Sequence, residues 1–106
     1  MTTSATGFER DNQGLFVRKD PQSVMDYTID YTNFLASGDA LSSHTITVDT
    51  GITKDSSSIV TGNKKVTMTL SGGTAGTTYT IKISATTSDG FTSIKRFRVK
   101  SEEIHL

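Results

Sequence analysis

Apolar and polar residues alternate with a period of two through most of this chain. Met25, Tyr27, Ile29 and Tyr31 are separated by Asp26, Thr28 and Asp30. That spacing predicts a strand with one buried face, because a helix needs apolar positions three and four apart. The pattern returns with Ile46 and Val48, expected to point inward, and with Val66, Met68 and Leu70 between threonines. It returns again with Tyr79, Ile81, Ile83 and Ala85 on one face and Thr80, Lys82 and Ser84 on the other. A final strand is expected over Phe91–Lys100, but its parity breaks between Ile94 and Phe97. Such a break predicts a β-bulge or an edge position. The polar run from Lys54 to Val60 predicts only a short strand around Ser58–Thr61.

Turn signals separate these runs. Pro21 restricts itself and Asp20 to extended or turn geometry, so Lys19-Asp20-Pro21 punctuates the start of a domain. Ala36–Asp39 is a turn, Gly62-Asn63 a hairpin turn, and Ser88-Asp89-Gly90 a second hairpin. Six or seven short strands without a helix predict an all-β, immunoglobulin-like antiparallel sandwich, with a β-barrel as the competing architecture. Tyr79 opens a strand just after a small-residue corner. In immunoglobulin domains a Tyr at this place bonds back to upstream backbone, and a core cysteine follows two residues later. Ile81 takes the cysteine's place here.

Residues 1–18 are expected to form an extended N-terminal arm, 19–100 the sandwich, and 101–106 a tail. The arm carries Phe8, Leu15, Phe16 and Val17 among polar residues. Two readings of it compete: a disordered terminus, or an arm that orders against a partner, which is preferred.

Composition narrows the function. The chain has 106 residues, of which 33% are hydrophobic, enough for one core. Eleven basic and eleven acidic side chains balance to a net charge of zero. Nucleic acid or an anionic membrane would favour a basic surface, so neither is expected as a partner. The absence of cysteine rules out disulfides and zinc–thiolate sites. No apolar run approaches the ~20 residues that span a bilayer. The first residues lack the apolar core of a signal peptide, so synthesis and folding inside a cell are expected.

No residue set suggests catalysis, and neither an enzyme nor a cofactor is expected. In SGGTAGTT, Thr77 follows Gly76 where a phosphate loop needs Lys, and a strand follows where it needs a helix. The segment is expected to be an exposed inter-strand crossing. His44 and His105 lie far apart in sequence, so packing or solvated roles are expected. Asp20, Asp39, Asp49, Asp55 and Asp89 sit in or near turns, where capping is the simpler role and a calcium site the alternative. Lys95, Arg96, Arg98 and Lys100 make the final strand basic, and with Lys82 form a stripe for an acidic partner or a guard on an exposed edge. Tyr27, Tyr31, Phe34 and Phe91 are expected in the core rather than on a sugar platform. Candidate partner-docking residues are therefore Phe8, Leu15, Phe16, Lys95, Arg96 and Arg98.

Several segments together resemble a known family. They are Lys19-Asp20-Pro21 leading into VMDYTIDY, FLASGDAL, Gly51-Ile52-Thr53, and above all LSGGTAGTTYTI from Leu70 to Ile81, followed by SDG and a last strand ending near RFRV. The chain is similar, from about Lys19 to Val99, to the immunoglobulin-like fibre–tail adaptors of tailed bacteriophages. Phe34-Leu35 stands where members often carry Trp. The resemblance implies a non-enzymatic virion structural protein, present in several copies on the tail or neck, that links fibre protein to tail protein. It also implies synthesis in the host bacterial cytoplasm. A capsid decoration or cement protein, or a carbohydrate- or calcium-binding sandwich, would suit the same fold.

Overall fold

Each alternating run becomes a strand whose apolar parity faces inward, except that Met25 at the start of the first run stays exposed, and the glycine and Asx turns fix where one strand gives way to the next. The computed structural model describes residues 2–3, 8–60 and 62–104. Nine strands lie among them. One sheet holds β1 (Thr2–Thr3), β4 (Met25–Asp30), β7 (Lys65–Gly72) and β6 (Ile52–Val60), in that spatial order. The other holds β2 (Glu9–Asp11), β3 (Gly14–Lys19), β9 (Thr92–Ser101), β8 (Thr78–Thr87) and β5 (Leu41–Val48). The order β4-β7-β6 against β9-β8-β5 is the connectivity of a constant-type immunoglobulin sandwich. Two separate sheets, rather than a closed barrel, enclose the core.

That core takes Ile29, Val66, Met68 and Leu70 from the first sheet and Val17, Ile81, Ile83 and Val99 from the second, all essentially inaccessible to solvent. Ile81 sits at the expected central position. The glycine segment between Gly72 and Thr78 carries the chain from one sheet to the other, as the sequence predicts.

Tyr79 makes the expected corner. The Thr74 N–H donates to its hydroxyl oxygen at 2.8 Å, and its ring lies between two glycines. A Cβ on Gly51 would meet the ring at 2.9 Å, and one on Gly73 at 3.5 Å. Changing Tyr79 to Phe leaves the packing but orphans the Thr74 N–H. Urea denaturation should show a loss of about 1–2 kcal/mol.

Four expectations change. Residues Glu9–Arg18, expected within the arm, are paired in the five-stranded sheet: β2 and β3 form a hairpin, and β3 runs parallel to β9 from Phe16↔Arg98 to Lys19↔Ser101. β6 is nine residues long and starts at Ile52, well before Ser58. The pattern shows only its end because it is an edge strand with mostly exposed residues and a register shift between Lys54 and Ser56. β9 is unbulged along β8, so no bulge answers the break; β3 covers its other side only from Arg98 onward, and the expected edge position holds for Thr92–Phe97 alone among the described residues. Its parity is intact: Ser93, Lys95, Phe97, Val99 and Ser101 point one way, while Ile94 stands on the outer face, 42% exposed. Finally, Ser101 is the buried last residue of β9 rather than the start of a tail. The expectations for Thr61 and His105 fall outside the described residues.

Candidate functional site

The six candidate docking residues separate into four environments. Phe8 packs inward, edge-on to Phe97 at 5.2 Å and to Tyr27 at 5.9 Å. Leu15 is half-buried against the same core. Both therefore seal the side of the sandwich. Phe16 is buried too, yet it points to the outer face of the five-stranded sheet, where it shares a face with Arg18, Arg98 and Lys100. The Lys100 Nζ lies 4.0 Å from its ring centroid, with the guanidinium carbons of Arg98 and Arg18 at 5.5 and 5.9 Å. Cations on an aromatic face are attracted by its quadrupole, so Phe16 is roofed by charge instead of by apolar core.

The outer face is set by register. Thr78, Thr80 and Lys82 of β8 stand opposite Lys100, Arg98 and Arg96 of β9. At the β2–β3 side, acids answer the cations. Arg98 donates from Nη1 to Asp11 Oδ2 at 3.0 Å and from Nη2 to the other carboxylate oxygen, and Lys100 reaches Asp11 at 3.4 Å. Arg18 meets Glu9 at 3.2 Å and Glu102 at 3.6 Å. The Arg98 hydrogen bonds, helped by the Gln13 N–H, hold the Asp11 carboxyl well below the usual range and push Arg98 up.

This linkage has a definite sign. A depressed folded value makes the contribution of Asp11 full above the ordinary aspartate value of about 4, and it is lost as pH falls toward the depressed value. The melting-temperature deficit of an Asp11→Asn variant should thus be present at neutral pH and shrink progressively under acid. A deficit that stays constant with pH would contradict it.

Toward β5 the pattern differs. Lys82 and Arg96 face each other directly across the ladder, both exposed, and among the described residues neither has an ion pair. Lys82 has Thr47 on its other side. Like charges directly opposite one another are destabilising. Lys95 is not part of this stripe, because its parity places it on the opposite face.

Other candidates resolve into structure. The Asp39 carboxylate accepts from the N–H groups of Ala40 and Asp89, Asp20 from those of Gln22 and Ile104, and Asp49 from that of Thr80. Asp20 and Asp39 cap turns, and Asp49 ties the end of β5 to β8. His44 Nε2 lies 2.9 Å from Ser57 Oγ, tying β5 to β6 across the sandwich. Tyr27 and Tyr31 are buried, and burial pushes both phenols up to about 12. Phe34 and Phe91 depart from the expected core: they are 37% and 63% exposed. With Ala36, Asp39, Thr87 and Thr92 they line a groove of about 340 Å³ at the end of the sandwich where the β4–β5 and β8–β9 connections meet. The counter-ion role of Asp11 was missed, although Asp11-Asn12-Gln13-Gly14 is a turn sequence in which Asp11 also caps the Gln13 N–H.

Fold and face together define a small immunoglobulin-like sandwich with a basic outer sheet. Residues 19–100 match the family described as podophage GP4 fiber-tail adaptor protein gp77. The match spans both sheets, and the chain belongs to this family. No curated protein matches it.

Proposed function

We propose that this chain is a non-enzymatic structural component of a podophage tail, an adaptor that joins fibre protein to tail protein in several copies per particle. The observation that carries this is the family match over residues 19–100, which covers β4 to β9 without a break. The chemistry of the fold supports it. The carboxylates of Asp20, Asp39 and Asp49 and the ring of His44 are engaged in capping turns and tying strands, while a charged sheet face stays exposed. The partners are proteins, not nucleic acid or lipid, consistent with a net charge of zero. The chain is made in the host cytoplasm and joins the tail or neck there.

The test is reconstitution. Purified chain, tails lacking it and fibre protein are mixed in each order, and fibre attachment is followed by sedimentation and electron microscopy. Fibres should attach only when the chain is present. Attachment without it, or labelled chain spread over the capsid, would overturn the reading.

A further inference from the structure

We propose that the open edge of β9, from Thr92 to Phe97, receives an extended acidic segment of a partner protein as an added strand. β3 pairs with β9 only from Phe16↔Arg98 onward. Among the described residues, Thr92–Phe97 therefore has a strand neighbour on the β8 side alone. An edge of this kind presents unpaired N–H and C=O groups, and main-chain pairing supplies affinity when a partner strand is added.

Charge identifies the occupant. Lys95 and Arg96 project to opposite faces at this edge, and Lys82 stands directly behind Arg96 on the outer one. The acids of the sheet face, Glu9, Asp11 and Glu102, are engaged by Arg18, Arg98 and Lys100 instead. The repulsion between Lys82 and Arg96 is relieved by a carboxylate brought in from outside. A strand carrying acids on its outer face sets a carboxylate beside Arg96, with the charge of Lys82 directly behind it. The same charges deter a basic strand, which gives the edge its selectivity. Next to this edge the surface turns apolar: Ile94 is exposed beside Arg96, and Phe91 stands at the mouth of the groove it shares with Phe34. An acidic strand with apolar residues between its carboxylates fits that succession. The proposal relies on the adaptor reading only for which particle protein supplies the segment.

The test uses the full chain, labelled with nitrogen-15, and a blocked synthetic peptide of about eight residues, a common strand length, alternating Glu and Val. Saturable shifts are expected over Thr92–Phe97, with slowed exchange at the alternate amides that point away from β8. Binding should weaken with added salt. A Gln–Val peptide should bind about tenfold or more weakly, a difference of ~1.4 kcal/mol, and a Lys–Val peptide not at all. The double variant Lys82→Glu, Arg96→Glu changes exposed side chains and should keep the wild-type circular dichroism and melting curve while losing the Glu–Val shifts. Absence of saturable shifts, equal binding of the three peptides, or shifts confined to other strands would overturn the proposal. Reconstitution of fibre attachment judges the adaptor reading separately, since it can succeed even when the peptide fails to bind.

Discussion

Alanine in place of Gly51 is expected to cost about 3 kcal/mol, a large share of what holds a domain of this size together. Two terms add. Gly51 has φ +109°, a conformation that costs an L side chain roughly 1–2 kcal/mol. The new Cβ would also stand 2.9 Å from the Tyr79 ring, whose hydroxyl is fixed by Thr74 and which cannot swing aside. Such overpacking costs typically 1–3 kcal/mol. Gly14 separates the terms, because its φ is +112° but nothing lies within 4 Å of where its Cβ would be. Urea denaturation should therefore place Gly14→Ala near the backbone cost alone and Gly51→Ala well below it. The melting temperature of Gly51→Ala should fall by roughly 15 °C. Equal losses at the two glycines would mean that the Tyr79 contact yields freely.

The second large effect lies at Lys19, which is 1% exposed although it carries a charge. Its Nζ donates to the Gly72 carbonyl at 2.8 Å and to that of Asp20 at 3.0 Å, tying the end of β3 to the end of β7. Burial pulls its pKa down, while Asp20 and Asp55 partly restore it. Lys19→Ala removes the buried stem and both donors, and should cost about 3–5 kcal/mol. Lys19→Met retains most of the stem, loses the donors and escapes the desolvation of the ammonium, so its cost should be about 1–2 kcal/mol. Chemical denaturation of both variants measures the split. If Met is as damaging as Ala, the carbonyl bonds dominate and the stem contributes little.

The sandwich was legible wherever one face of a strand is buried and the other wet, since that condition writes itself as alternation. Tyr27, Ile29 and Tyr31 show it, as do Val66, Met68 and Leu70. β6 broke the rule because an edge strand meets the core on few of its residues, and its serines advertise nothing. The N-terminal hairpin broke it for a different reason. Phe16 and Val17 are consecutive and both buried, one under cations from β9 and one in the core. No local pattern reveals a roof supplied from the far end of the chain. The basic residues of the last strand were visible as a group, but not which face each takes. Ile94, an apolar residue on the wet side, disguised the parity that puts Arg96 and Arg98 together and Lys95 opposite. Asp11 then silences Arg98 and leaves Arg96 with Lys82, a distinction that only the folded register makes.

The parallel pairing of β3 with β9 has a mechanical consequence. Tension applied between the N-terminal end of β3 and the C-terminal end of β9 draws the two strands past each other lengthwise. The bonds from Phe16↔Arg98 to Lys19↔Ser101 are then loaded together in shear. An antiparallel hairpin pulled from its open end gives way one bond at a time, whereas a sheared ladder must break as a unit. The seam between the first and last long strands of the five-stranded sheet is thus oriented to resist stretching along the chain's own axis.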